Sequence, residues 1–121
     1  IEPMHGSQLS IYTTAKGEGK WNRNIIDDTL DQGHALATGD FMGSGADQIV
    51  AGWRGTRRTG KVGVKFYYPT DKARTKWKSM LVDDNQMATE DIRVADLNAD
   101  GKLDIIAAGR ASNNLKIYFN E

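Results

Sequence analysis

An alternating run of oxygen-bearing groups near the end of the chain could bind a metal ion. Its members are the side chains of Asp96, Asn98, Asp100 and Asp104, together with the backbone carbonyl of Lys102. Calcium prefers about six to eight oxygen ligands, and Gly101 permits the sharp turn that brings such ligands together. We therefore predict a calcium loop over residues 96–104. The alternative is an Asx-type turn that needs no ion.

A second loop, at residues 40–48, aligns with the acidic loop position by position at a constant offset. Asp40 and Gly45 repeat the first ligand and the glycine, whereas Met42 stands where the acidic loop has an asparagine. A thioether is a poor ligand for a hard cation. We therefore expect the turn to be kept at this loop without calcium.

Both histidines of the chain, His5 and His34, are candidates for chemistry together with Glu90. His34 and Glu90 are related by the offset that relates the two loops, so equivalent positions of neighbouring repeats would present a base beside a carboxylate. The histidines could ligate zinc or another divalent metal that polarises a sugar hydroxyl or carbonyl. One histidine could instead be a general base beside a carbonyl, with Glu90 or a metal stabilising the developing charge. Alternatively, both could only cap strand ends by hydrogen bonding.

Arginines cluster in a glycine-rich connection and recur at the repeat offset. The connection contains Arg54, Arg57 and Arg58, and Arg110 repeats Arg54. Because arginine offers paired donors to carboxylates, sulfates and phosphates, we predict a clamp for an anionic sugar or small molecule. Trp53 is the predicted sugar-stacking aromatic side chain. The alternative is a solvated charged surface.

The elements that must position these groups repeat along the chain. The segment that begins at Trp21 aligns with the segment that begins at Trp77, and the same offset holds through both loops. Short β-branched and aromatic runs bounded by Gly, Asn, Asp and Thr predict strands. We predict nine strands, at residues 8–13, 20–26, 34–39, 47–53, 62–68, 76–82, 90–95, 103–109 and 114–119.

The predicted fold class is all-β, a segment of a β-propeller with about two and a half blades of four antiparallel strands each. Residues 1–33 would supply the outer strands of one blade, residues 34–82 a complete blade and residues 90–121 most of the last blade. A closed propeller needs at least about 200 residues. The remaining blades would come from the same parent chain or from self-association of several copies.

Composition excludes several classes of protein. The chain has 121 residues, which is enough for one small domain. Its 16 Lys and Arg residues balance 16 Asp and Glu residues, so we predict no nucleic-acid partner. The sequence has no cysteine, which excludes disulfides and thiolate metal sites. The longest apolar run is residues 105–108, far below the roughly 18 residues that a membrane span requires, so we predict no membrane insertion.

The acidic loop and the apolar strand 105–109 after it resemble the FG-GAP/VCBS repeat of β-propellers, a family that includes integrin α-chain heads and many secreted bacterial proteins. The resemblance covers residues 34–119. It implies a propeller fold, a calcium loop and an extracellular or periplasmic location.

A narrower resemblance, over roughly half of the chain, is to the propeller region of aldos-2-ulose dehydratases, which act on ketosugars. Residues 4–6, 9–13, 21–23 and 33–34 carry it, and the cupin domains of that family are absent from this sequence. The leading functional hypothesis is a module that binds carbohydrate. The rival is a dehydratase or lyase acting on sugars through His5 and His34. A third hypothesis, implied by the integrin resemblance, is a propeller for protein adhesion.

Overall fold

The computed structural model describes residues 1–14 and 19–121, and within them the chain has nine strands and no helix. The strands are β1 (Leu9–Thr14), β2 (Trp21–Asp27), β3 (Gly33–Gly39), β4 (Gln48–Trp53), β5 (Gly63–Pro69), β6 (Trp77–Asp84), β7 (Thr89–Ala95), β8 (Asp104–Gly109) and β9 (Asn114–Tyr118). All nine predicted strands are confirmed, with ends that differ by two positions at most.

The strands form three antiparallel sheets in chain order. The first sheet is β1-β2, the second is β3-β4-β5-β6 and the third is β7-β8-β9. Each strand pairs with the next strand in sequence within its sheet, so short local connections are enough to build each sheet.

Strand β4 lies at the centre of the molecule, and all six of its residues are buried. Successive side chains of a strand point to opposite faces. Val50 accordingly packs toward the third sheet, whereas Ile49 and Ala51 pack toward the first. This explains why residues 49–51 are apolar without the polar alternation of a half-exposed strand.

The hydrophobic core lies in two layers between the sheets. The layer between the first and second sheets contains Leu9, Leu30, Ile49, Ala51, Trp53 and Tyr67. The layer between the second and third sheets contains Ala35, Phe41, Val50, Val64, Met87, Ile92, Ile105 and Ala107.

The second and third sheets approach each other most closely through their first strands. Strand β7 lies against β3 and β4 without joining their sheet. Gly52 of β4 faces Thr89 of β7 so closely that a Cβ atom at position 52 would overlap the threonine side chain. A glycine is therefore required at this contact.

An ion pair and a tyrosine hydrogen bond join the first and second sheets. Asp27, at the end of β2, accepts hydrogen bonds from Lys65 Nζ at 2.8 Å and from the Tyr67 hydroxyl at 2.7 Å. Both donors lie on β5. We call this arrangement the Asp–Lys–Tyr clamp.

The same clamp joins the second and third sheets. Asp83 of β6 accepts hydrogen bonds from Lys116 Nζ and the Tyr118 hydroxyl of β9, each at 2.8 Å. In both clamps the strand register shifts one position before the aspartate, at Ile26 and at Val82. The contact between sheets therefore repeats together with the sequence.

Candidate functional site

Two register shifts place His34 and Glu90 at the start of the first strand of their sheets. In β3 the register with β4 shifts at His34, and in β7 the register with β8 shifts at Glu90. A β-bulge bends its strand and changes the direction of the bulged side chain. Because the two positions are equivalent in the repeat, both side chains lie at the same end of their strands.

Arg54 pairs with Glu90 across two sheets. The Nη1 atom of Arg54, just after β4, lies 2.6 Å from Oε1 and 2.5 Å from Oε2 of Glu90 in β7. The hydrogen bond from Arg54 lowers the pKa of Glu90, and the nearby charges of His34 and Arg110 lower it further. Glu90 is therefore a carboxylate near neutral pH, suited to accepting hydrogen bonds rather than to acting as a general acid.

His34 is oriented by the backbone of Glu90. Its Nδ1 atom lies 2.7 Å from the Glu90 carbonyl oxygen. A carbonyl oxygen only accepts hydrogen bonds, so Nδ1 carries the proton and Nε2 has the lone pair in the neutral ring. Nε2 lies 3.9 Å from Glu90 Oε1.

His5 stacks on His34. Their ring centroids are 4.6 Å apart and the ring planes differ by 23°. Nearly parallel rings direct their in-plane lone pairs side by side, whereas two ligands of one zinc ion must converge on a point. This arrangement is the packing of two flat rings, and zinc at the histidines stays a prediction.

A polar cavity of about 270 Å³ opens beside this cluster. Its lining residues are Gln32, Arg54, Glu90, Arg110 and Ala111. Two guanidinium groups face one carboxylate, so the cavity has an excess of positive charge. Because Glu90 is engaged by Arg54, the excess charge lies at Arg110, which is exposed. The structure places His5, His34, Glu90, Arg54 and Arg110 together at this end of the sheets.

Three of the predicted ligand-binding residues lie elsewhere. Trp53 is only 6% exposed, packs in the core and donates its Nε1–H to the Lys61 carbonyl at 2.8 Å. The prediction that it stacks on a sugar is wrong, because both faces of β4 are buried. Arg57 and Arg58 are exposed but do not line the cavity formed by the described residues.

Gln32 is a cavity residue that the sequence interpretation missed. Its backbone is in the left-handed region (φ 53°), and its carbonyl accepts a hydrogen bond from the Arg54 N–H at 3.3 Å. The neighbouring Asp31 is 7% exposed and holds the arginine-containing loop by accepting from the Arg58 N–H at 2.6 Å. Their position just before His34 is the signal that could have identified them.

The acidic loop lies at the opposite end of β7 from the cavity. Asp96 accepts hydrogen bonds from the N–H groups of Asp100 at 3.1 Å and Gly101 at 2.9 Å. Asn98 Oδ1 also accepts from the Asp100 N–H, at 3.2 Å. Ala99 (φ 61°) and Gly101 (φ 86°) provide the left-handed turns. Oxygens of Asp96 and Asn98 therefore meet at one backbone amide.

The other two acidic side chains of the loop have different environments. Asp100 is exposed, and hydrogen bonds from the Lys102 N–H and then from Asn98 lower its pKa. Asp104 is fully buried and accepts from two backbone N–H groups, one of them that of Asn120 at 3.0 Å. Asp104 thus joins the loop to the end of the chain, and its role as a calcium ligand stays a prediction.

Within residues 1–14 and 19–121, no group of three or more His, Asp or Glu side chains converges in the manner of a metal centre. The same residues contain no helix with the length and apolar character needed to cross a membrane. Comparisons with protein-family models, with curated proteins and with solved structures find no match to this chain.

Proposed function

We propose that this chain is part of a β-propeller and that its cavity binds a carbohydrate or an anionic sugar. The Asp–Lys–Tyr clamp supports the propeller, because the same contact recurs between the first and second and between the second and third sheets. Radially repeated blades require such a repeated interface. The close approach of β7 to β3 and β4 agrees with first strands that gather near a common axis.

One observation carries the binding function. Arg54 holds the Glu90 carboxylate at 2.6 Å across two sheets, in the cavity that Arg110 also lines. The carboxylate is fixed in place before a ligand arrives. Binding of a ligand to Glu90 therefore costs little side-chain conformational entropy. Ligand sites are typically concave and contain a few placed polar groups.

The lining chemistry fits a polyhydroxylated anion. Glu90 can accept hydrogen bonds from sugar hydroxyls, and Gln32 offers an amide that donates and accepts. Arg110 offers paired donors to a carboxylate or sulfate. A cavity of about 270 Å³ is suited to one small sugar unit and not to a long chain.

Isothermal titration calorimetry with D-glucuronate and D-glucose tests this proposal. We expect glucuronate to bind about tenfold more tightly, corresponding to about 1.4 kcal/mol, because only glucuronate pairs with Arg110. Arg110→Gln should remove the preference. Arg93→Gln is the control, because Arg93 is an exposed arginine paired with Asp91 on β7. If neither glucuronate nor glucose binds, the proposal is contradicted.

We also propose that the acidic loop binds calcium and stabilises the third sheet. The meeting of Asp96 and Asn98 oxygens, with the Asp100 carboxylate on the same turn, supports this proposal. These are hard oxygen donors of the type that calcium prefers. Calcium in this position would be structural, because the loop and the cavity lie at opposite ends of β7.

A dehydratase acting on ketosugars is the second candidate, and the orientation of His34 favours it. With Nδ1 donating to the Glu90 carbonyl, the Nε2 lone pair is available to remove a proton beside a sugar carbonyl. The hydroxyl group on the next carbon would then leave as water by taking that proton back from Nε2, and the product would be an enone. Ultraviolet absorbance of the enone, abolished by His34→Ala and retained by Arg93→Gln, would support the enzyme. A ketosugar left unchanged by the protein would exclude it.

A further inference from the structure

The loop at residues 40–48 repeats the turn of the acidic loop in detail. Asp40 accepts hydrogen bonds from the N–H groups of Ser44 at 2.8 Å and Gly45 at 2.6 Å. Asp96 makes the equivalent pair of bonds to residues four and five positions later. Both loops therefore present the same backbone frame at the same end of their sheets.

The two loops differ in what occupies the space inside the turn. Gln48 stands where the acidic loop has Asp104, and it is only 1% exposed. Its Oε1 accepts from the Met42 N–H at 3.0 Å. Its Nε2 donates to Ser44 Oγ at 3.2 Å and to the Ala46 carbonyl at 2.5 Å. Three partners thus fix the direction of the amide.

The acceptors of the Gln48 amide occupy the predicted ligand positions of the other loop. At the repeat offset, Ser44 corresponds to Asp100 and Ala46 corresponds to Lys102. We propose that the Gln48 amide nitrogen takes the place of a cation in this loop and thereby restricts calcium to the acidic loop. The inference rests on the proposed calcium site at residues 96–104.

The physical reason is the direction of the hydrogen bonds. An amide NH₂ group donates two hydrogen bonds and satisfies two oxygen acceptors without any ion. The aspartate at position 104 has no N–H group to donate to these positions. In the acidic loop the Asp100 carboxylate accepts instead from the Lys102 N–H at 2.9 Å and from Asn98 Nδ2 at 3.0 Å. One loop therefore has an amide donor at this position, whereas the other has a carboxylate, which is the kind of group that calcium prefers.

Thermal melting of Gln48 variants tests the inference in the Asp100→Ala background, which removes the calcium response of the acidic loop. Gln48→Glu replaces the donating NH₂ by a carboxylate oxygen. In chelator we expect the Tm to fall by roughly 5 °C, and we expect millimolar calcium to restore most of the loss. Gln48→Met keeps the length of the side chain without a donor, and its lower Tm should not respond to calcium.

Gln86→Glu is the matched control, because it adds the same charge at an exposed glutamine whose side-chain oxygen already accepts from Lys116. Its Tm should be the same with and without calcium. A Gln48→Glu protein that melts like its parent in chelator, or whose loss calcium leaves unchanged, would overturn the inference. The proposed calcium site of the acidic loop is tested separately, by comparing the Tm of the unmodified protein with and without calcium.

Discussion

Lys116 Nζ lies 2.8 Å from the carboxylate of Asp83 and thereby joins the third sheet to the second. Lys65 and Asp27 make the same contact, also at 2.8 Å, between the second and first sheets. The aspartates are almost completely buried, with side-chain exposures of 4% and 6%. Buried carboxylates must be paired, so these contacts fix how successive sheets are placed.

Removal of the lysine should destabilise the protein. We expect Lys116→Met to lower the free energy of unfolding by about 1–3 kcal/mol, because it removes a charged donor from a buried carboxylate. Urea denaturation measures the change. Lys61→Met is the control, since its pair with Asp84 is exposed and should be worth less than about 1 kcal/mol. Equal losses for the two variants would contradict a special role for the clamp.

The clamps also predict how stability depends on pH. Burial raises the pKa of Asp83, but hydrogen bonds from Lys116, the Gln86 N–H and Tyr118 outweigh it, so the pKa lies below the ordinary value. The folded carboxyl thus binds its proton less readily than the unfolded carboxyl, whose pKa is about 3.9. The stabilisation that the Asp83 carboxylate contributes is therefore complete above the pKa of the unfolded state. It is lost as the pH falls through the lower pKa of the folded state.

Asp83→Asn provides the measurement of this effect. The difference in unfolding free energy between the native protein and the variant should be constant near neutral pH and should narrow below about pH 4. Denaturation at a series of pH values gives the two curves. If the difference in unfolding free energy stays the same down to the lowest pH measured, Asp83 is not stabilised as a carboxylate.

Calcium should raise the Tm of the protein. A ligand that binds only the folded state stabilises it by about 2.7 kcal/mol at 100 times its dissociation constant. Asp100→Ala should remove the response, whereas Asp47→Ala, an acidic residue of the other loop, should keep it. Differential scanning calorimetry with calcium and with chelator measures both. Identical melting of the unmodified protein in the two conditions would remove the proposed site.

The contact of β4 with β7 leads to a prediction about packing. Gly52→Ala should destabilise the protein by about 1–3 kcal/mol, because the added methyl group overlaps the buried Thr89 side chain. Chemical denaturation measures the loss. An unchanged or increased stability would mean that the second and third sheets do not meet in this way.

The sequence predicted the strands well because each strand is short, apolar or alternating, and bounded by turn residues. It also predicted that His34 and Glu90 lie close together, since one repeat offset places them at equivalent positions of neighbouring repeats. The register shifts at His34 and Glu90 could not be read from the pattern, because a bulge depends on pairing with the neighbouring strand. The two side chains come within 3.9 Å of each other, from His34 Nε2 to Glu90 Oε1.

Other features were beyond the sequence for reasons of packing. The burial of β4 on both faces could not be predicted from Trp53, since an aromatic residue beside an arginine is equally typical of a sugar site and of a hydrophobic core. Asp27 and Asp83 look like ordinary strand-end residues. Their pairing with Lys65 and Lys116 depends on contacts between sheets that lie more than thirty positions apart in the chain.

An NMR titration with D-glucuronate tests most directly whether the cavity beside Arg54 and Glu90 binds an anionic sugar, as we propose. We expect saturable ¹H–¹⁵N shift changes at the backbone amides of Gln32, Arg54, Glu90, Arg110 and Ala111, with the amides of residues 96–104 unchanged. Absence of shifts, or shifts that are centred at the acidic-loop end of the sheets, would contradict binding at this cavity.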